Sequence, residues 1–140
     1  MSIVIPTFYK RLRVFLIIPT FSTGVYNYPN ILQKASAPVI SNEECSKLYE
    51  NTTRKVLDSN ICVGNVSGST GPCYGDKGGP IVKLRSDTSE FELVGIISWF
   101  YGCGRPFLPS VNTRVSAVLE YIEHVRNSSK SLTGSGFFNS

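Results

Sequence analysis

Apolar and polar residues alternate in short runs along most of the chain, a pattern typical of β-strands with one buried face. Gly, Pro, Asn and Ser, which favour turns, separate the runs. A polar hairpin at 86–90 and two glycine-rich loops at 64–79 and 102–109 interrupt the series. The pattern predicts six strands, at 10–15, 31–40, 61–63, 81–85, 91–99 and 111–115.

Two stretches carry helical signals. Ser41 precedes Glu43 and Glu44, and a serine cap followed by acidic residues favours the start of a helix. Ser116 is predicted to cap a second helix, on which His124 is a solvated residue. The apolar face of this second helix is formed by residues spaced three and four apart: Val118, Tyr121, Ile122 and Val125.

These elements predict an all-β fold, a single small antiparallel barrel with a C-terminal α-helix. The 140 residues fit one domain. We expect residues 1–30 to form an atypical N-terminal segment and residues 31–126 to form the barrel and helix. Residues 127–140 form a Ser/Gly-rich tail that is expected to be mobile.

Composition excludes several classes of protein. Hydrophobic residues make up 41% of the chain and charged residues 17%, which excludes disorder for its bulk. The longest apolar run, 14–18, ends at Pro19 and is too short to span a membrane. The net charge of +4 comes with one small basic cluster, Lys10, Arg11 and Arg13, so we expect neither nucleic acid nor membrane as a partner.

The cysteines favour disulfides over a metal site. No Cys-x-x-Cys pair is present and the chain has one histidine, so we expect no metal and no cofactor. Two disulfides, with three possible connectivities, would imply an oxidising compartment. Secretion is also favoured by three glycosylation sequons, although no clear signal peptide is visible. The cysteines are Cys45, Cys62, Cys73 and Cys103, and the sequons begin at Asn51, Asn65 and Asn127.

The segment 71–80 reads Gly-Pro-Cys-Tyr-Gly-Asp-Lys-Gly-Gly-Pro. Its order and spacing relative to the flanking segments resemble the C-terminal barrel of the chymotrypsin/trypsin family of serine proteases, from about residue 31 to 126. The resemblance implies a six-stranded Greek-key barrel, the second half of a double barrel, and the disulfides Cys45–Cys62 and Cys73–Cys103. Each would stabilise the fold by roughly 3–4 kcal/mol in the chain-entropy model. The flanking segments are 32–35, Cys45, 60–62, 93–99, 102–103 and 112–115.

The family motif is Gly-Asp-Ser-Gly-Gly-Pro, and Lys77 stands at the position of the nucleophilic serine. Catalysis in the family needs a hydroxyl activated by an imidazole that a carboxylate orients. The resemblance places that pair on a preceding barrel, so we predict no catalytic residue in this chain. The resemblance also assigns an oxyanion-hole-like loop to Gly75, Asp76 and Lys77. In the family Asp76 would pair with a new amino terminus, and without it the loop either keeps its geometry or collapses.

The same resemblance locates a specificity pocket. Gly71 stands at its base, so no acidic residue selects Lys or Arg. Phe100 and Ser110 replace family glycines in the walls, and the Phe ring is expected to obstruct the pocket. Trp99, a wall residue beside Ser98, also fits a simple core role. Tyr74 is either a partner contact or a solvent-facing tyrosine.

These expectations favour a secreted, catalytically inactive protease homologue, a pseudoprotease that binds proteins in a protease cascade or acts as a decoy. Its partners would be proteases, inhibitors or cascade components. The barrel face that meets the first barrel in the family would be covered by residues 1–30 or used in self-association. Residues 45–49 and Lys77 also resemble inactivated protease paralogues of mites. The alternatives are a fragment of a serine endopeptidase from an incomplete gene model and a non-functional product of a decaying gene.

Overall fold

A computed structural model describes residues 13–18, 31–68 and 70–133 of the chain. Six antiparallel strands close into a barrel in the order β1-β2-β3-β6-β5-β4. This confirms the predicted all-β barrel, and the C-terminal helix is present. The strands are β1 (Arg13–Ile18), β2 (Gln33–Ile40), β3 (Asn60–Val63), β4 (Pro80–Leu84), β5 (Phe91–Trp99) and β6 (Ser110–Arg114).

The strand order explains why one connection is long. Strands β1 to β3 are sequential neighbours and so are β4 to β6, but β4 pairs with β1 rather than with β3. The chain must therefore cross one end of the barrel between β3 and β4. Residues 64–79 make this crossover, and they are the glycine-rich segment that carries Lys77.

Inward-facing residues of the strands fill the barrel. The side chains of Val14, Leu16 and Ile81 are completely buried. A methyl group at Gly95 in β5 would lie 3.1 Å from Cγ2 of Ile61 and 3.3 Å from Cδ1 of Ile81. Glycine at this position therefore lets the neighbouring side chains fill the space that a larger residue would take.

The first strand begins later than predicted. It covers Arg13–Ile18 rather than 10–15, because it pairs with β2 along its whole length, from Arg13 opposite Pro38 to Ile18 opposite Gln33. The segment 1–30, predicted to be atypical, thus contributes a barrel strand. The rest of the segment, 1–12 and 19–30, lies outside the described residues. The expectation that this segment covers a barrel face therefore stays a prediction.

Helix α1 (Asn42–Leu48) confirms the predicted start. The Ser41 hydroxyl accepts a hydrogen bond from the backbone N–H of Glu44 at 3.2 Å. Both acidic residues of the first turn, Glu43 and Glu44, lie at the positive end of the helix dipole.

Helix α2 (Leu119–Thr133) differs from the prediction at both ends. Ser116 does not cap it, because Ser116 lies inside a preceding 3-10 turn, Val115–Ala117. The helix also runs beyond Arg126, through the first residues of the predicted tail, whose mobility stays a prediction. Its apolar residues are exposed, Tyr121 most of all at 71%. None of the described helices is long and apolar enough to cross a membrane.

Tyr49 closes a second apolar cluster outside the barrel. It is 2% exposed, and its hydroxyl donates a hydrogen bond to the carbonyl of Pro109. Cys45, bonded to Cys62, and Val111 are buried in the same cluster, which ties α1 to β3 and β6. Burial raises the pKa of Tyr49 to about 12, with a smaller contribution from Tyr101.

We predict that Tyr49→Phe lowers the free energy of unfolding by about 1–2 kcal/mol at pH 7, because the Pro109 carbonyl loses its buried donor. Since the pKa of Tyr49 is about 12 when folded and about 10 when unfolded, the native state retains a proton that the unfolded state releases. The wild-type protein should therefore lose about 1 kcal/mol by pH 11 through Tyr49, and the variant should not. Urea unfolding of both proteins at pH 7 and pH 11 measures the difference, and an equal alkaline loss in both would contradict it.

Candidate functional site

Two consecutive turns form the end of the crossover loop. The Asp76 N–H donates to the Cys73 carbonyl at 3.1 Å, and the Gly79 N–H donates to the Asp76 carbonyl at 3.0 Å. Gly75 and Gly78 have φ angles of +99° and +85°. Side chains with a Cβ rarely adopt this left-handed conformation, so the two glycines permit the turns.

The turns are fixed on both sides of Lys77. On one side the buried Asp76 carboxylate accepts a 2.7 Å hydrogen bond from the Cys73 N–H through Oδ2. On the other, the Gly78 N–H donates to the Ile97 carbonyl at 2.8 Å, and the Ile97 N–H donates to the Gly79 carbonyl at 2.9 Å. These last two bonds extend the pairing of β4 with β5 up to the turn.

Lys77 is exposed between these anchors. Its side chain takes part in no hydrogen bond or ion pair with the described part of the chain. Gly75 is exposed as well, on the other side of Asp76. The assignment of an oxyanion-hole-like loop to Gly75, Asp76 and Lys77 stays a prediction. Whether this loop keeps the geometry of the family or collapses also stays open between the two alternatives given above.

The second disulfide joins the crossover to the loop between β5 and β6. Cys73 and Cys103 are bonded, with their Cα atoms 4.6 Å apart. Together with Cys45–Cys62, this confirms the pairing implied by the resemblance. The bond holds the two loops against each other at one end of the barrel.

A small cavity lies between these two loops. Its volume is about 10 Å³, about what one water molecule needs. Gly71, Phe100 and Ser110, three of the predicted pocket residues, line it, but Ser98 and Trp99 do not. The other lining residues are Val63, Gly64, Asn65, Thr70, Pro72, Gly102, Gly104, Arg105, Leu108 and Pro109.

Ser110 is bonded into the barrel. Its hydroxyl donates to the Val63 carbonyl at 2.8 Å and accepts from Nδ2 of Asn112 at 3.0 Å. Asn112 is fully buried, and its Oδ1 has no hydrogen-bond partner in the described structure. Sequence reasoning did not single out Asn112, although a polar residue in the middle of a short barrel strand is a signal that could have found it.

Gly71 is closely packed against Gly104. It is buried, and a methyl group on it would lie 3.3 Å from the Cα atom of Gly104. A side chain at the base of the cavity would require the backbone at Gly104, next to Cys103, to shift by a few tenths of an ångström.

Trp99 packs away from the cavity. Its ring meets Tyr49 edge to face at 5.1 Å, and the Arg54 guanidinium lies over it at 5.3 Å. The aromatic cluster holds the Trp99 ring on the side away from this cavity, in keeping with the core role, and its assignment to a pocket wall stays a prediction. Nothing in the sequence pattern pointed to Arg54.

Tyr74 lies beside the cavity at the surface. Its ring centre is 6.2 Å from that of Phe100, and the residue is 52% exposed. Tyr74 and Phe100 thus form an aromatic rim in the same loop region as Lys77.

Of the remaining predicted residues, Asn65 lines the cavity, whereas His124, Asn51 and Asn127 do not. His124 is exposed on α2, where its carbonyl accepts a hydrogen bond from the Ser128 hydroxyl. Asn51, Asn65 and Asn127 are exposed, and their glycosylation stays a prediction. Among the residues that the structure describes, no group of three or more His, Cys, Asp or Glu could hold a metal ion.

Comparison with known proteins identifies the family. Residues 19–122 match the family model described as Trypsin. The chain belongs to the trypsin family of serine proteases. It is 42% identical over 97 residues to Trypsin-1 of Astacus astacus, a match that covers 69% of this chain and 39% of that protein.

Two further trypsin-family relatives are larger. Serine proteinase stubble of Drosophila melanogaster is 40% identical over 101 residues, covering 70% of this chain and 13% of the relative. The clotting factor G beta subunit of Tachypleus tridentatus is 32% identical over 101 residues, covering 69% of this chain and 33% of the relative. The chain thus spans well under half the length of these relatives. The likeness to mite paralogues stays a prediction.

We predict that Gly71→Asp destabilises the protein by about 3 kcal/mol, because it crowds Gly104 and buries a carboxylate beside a cavity of one-water size. Ser67→Asp, which adds the same charge at an exposed position of the same loop, is the matched control. Urea unfolding compares the two variants. Equal free energies of unfolding for the two variants would contradict the prediction. They would show that the 102–104 loop can move to accommodate the aspartate and that the cavity can widen.

Proposed function

We propose that this chain is a catalytically inactive member of the trypsin family, a pseudoprotease that acts by binding other proteins. The observation that carries the proposal is Lys77, which stands at the position where the family motif has its nucleophilic serine. Acyl transfer in this family begins with attack by a hydroxyl oxygen whose proton passes to an imidazole. Lysine offers no hydroxyl, and its protonated ammonium has no lone pair for the attack.

The surroundings of Lys77 support this reading. The side chain is exposed and takes part in no hydrogen bond or ion pair with the described part of the chain. The one histidine of the chain, His124, is an exposed residue of α2. The proposal concerns the residue in the turn, and it holds whether or not further segments are joined to this chain.

The cavity beside the turn supports binding through the surface rather than by insertion of a side chain. A space of about 10 Å³ has no room for a lysine or phenylalanine side chain. Exposed groups in this loop region include the ammonium of Lys77 and the ring of Tyr74, which lies beside the partly buried Phe100. Aromatic and cationic groups on rigid loops are common anchors in protein interfaces.

Family membership and the disulfides support a proposal for the partner class and the location. A clotting factor subunit is among the relatives, and two disulfides fit an oxidising, extracellular compartment. We therefore propose a protease, an inhibitor or another component of an extracellular protease cascade as the partner. A decoy role belongs to the same class of binding functions.

A second candidate, a fragment of a serine endopeptidase, is favoured by the short span. The match covers 39% of Trypsin-1 of Astacus astacus. The two candidates differ in whether the chain contributes to peptide-bond cleavage, which Lys77 argues against.

The proposal is tested with the immobilised chain, a trypsin-family protease whose catalytic serine is replaced by alanine, and a proteinaceous inhibitor of that protease. We expect micromolar or tighter binding to at least one of them, with the partner intact by mass spectrometry. Lys77→Ala should weaken binding about tenfold, as expected for a loss of about 1.4 kcal/mol at an interface. Lys55→Ala, at another exposed lysine, should leave binding unchanged.

Any of three results would contradict the proposal. Binding to neither partner would contradict the proposed binding function, and equal binding by the Lys77→Ala and Lys55→Ala variants would contradict the proposed surface. Cleavage of a partner in the presence of the wild-type chain would contradict the proposed inactivity, because the catalytically disabled protease cannot itself cleave a peptide bond.

A further inference from the structure

Phe107 combines two unusual features in the loop between β5 and β6. Its φ angle is +60°, in the left-handed region where a bulky side chain clashes with the backbone. Its side chain is also 63% exposed, so burial of the ring within the described chain does little to offset that strain. Ser89 is the other non-glycine residue with a positive φ in the described part of the chain, and it is a small polar residue of a hairpin turn.

The backbone at Phe107 is fixed by contacts with the crossover loop. The Phe107 N–H donates a hydrogen bond to the Val66 carbonyl at 2.9 Å. Pro106 packs so closely that a methyl group on Gly68 would lie 2.8 Å from the Pro106 nitrogen. The second disulfide joins the same two loops. The Phe107 ring is therefore carried by a backbone whose position is set before any partner binds.

The strain at Phe107, rather than its exposure, points to a role for the ring. A single exposed aromatic side chain is ordinary on a protein surface. The hydrogen bond to Val66 uses backbone atoms only, so asparagine or glycine could form it and adopt the left-handed conformation at lower cost. Backbone outliers that the described packing does not require cluster at binding and active sites.

The charges of the two loops indicate the chemistry of a partner. Residues 64–79 and 100–109 contain three charged side chains, and the one carboxylate among them, Asp76, is buried. Lys77 and Arg105 are exposed, and neither forms an ion pair within the described residues. A surface of this sign attracts carboxylates and repels other cations.

We propose that Phe107 and Arg105 anchor the protein partner, with the Phe107 ring in an apolar pocket of an acidic surface and the Arg105 guanidinium against a carboxylate. Aromatic and arginine side chains are enriched at such contacts, and a fixed backbone lowers the entropy lost on binding. The inference rests on the proposed function, because it assigns residues that meet the same partner.

The substitution Phe107→Asn tests the anchor with the immobilised full-length chain, the catalytically disabled protease and its proteinaceous inhibitor. We expect binding to weaken at least tenfold, while relief of the strained backbone raises the Tm by roughly 3 °C. Phe107→Tyr, which keeps the ring, should bind within about twofold of the wild-type chain.

A second exposed phenylalanine provides the matched control. Phe91 is 57% exposed at the far end of β5, and its ring contacts Phe15 edge to face at 5.9 Å. Phe91→Asn should therefore lower the Tm and leave binding unchanged, which is the opposite of the result expected for Phe107→Asn.

Charge reversal tests the acidic character of the partner. Arg105→Glu should weaken binding about tenfold, because it replaces attraction by repulsion. Arg126→Glu, at an exposed position of α2, is the control and should have no effect. Equal effects of the two reversals, or tighter binding by Arg105→Glu, would overturn the proposed contact with a carboxylate.

The outcomes separate this inference from the proposed function. Binding by the wild-type chain that Phe107→Asn leaves unchanged would overturn the inference alone. A lower Tm of Phe107→Asn would overturn it too, because the ring would then stabilise the fold rather than strain it. Absence of binding by the wild-type chain would overturn the proposed function and this inference with it.

Discussion

The double anchoring of the β3–β4 crossover is the constraint on which the rest of this site depends. The connection is long because β4 pairs with β1 across the barrel, and a long loop by itself would not hold one conformation. The Cys73–Cys103 bond fixes its middle, and the Gly78–Ile97 and Ile97–Gly79 hydrogen bonds fix its end to β5. Between these points the buried Asp76 carboxylate binds the Cys73 N–H, which leaves the Lys77 side chain at the surface.

None of these anchors uses the side chain at position 77. The backbone and Asp76 form them, so a lysine can stand in the turn without loss of a described contact. The cavity beside the turn is also bounded by fixed contacts. Gly71 packs against Gly104, and the Ser110 hydroxyl is bonded to Val63 and Asn112, so this end of the barrel is filled rather than open.

Local patterns predicted the barrel well, and contacts distant in sequence account for what they missed. Alternation located β4, β5 and β6 to within a residue or two, and Ser41 marked the start of α1. The start of β1 depends on its pairing with β2, which no local pattern encodes. The face of the sheet on which the Trp99 ring packs depends in the same way on its contacts with Tyr49 and Arg54. The predicted cap at Ser116 was wrong for a local reason, because a 3-10 turn at Val115–Ala117 follows β6 and delays the start of α2 to Leu119.

The most direct test of the central claim is reaction with a fluorophosphonate, which forms a covalent bond with an activated serine of this enzyme class. We predict no labelling of the wild-type chain, and none of Lys77→Ser either, because a restored hydroxyl would still lack an imidazole to take its proton. An active trypsin provides the positive control. Stoichiometric labelling of the wild-type chain within residues 71–80 would contradict the account.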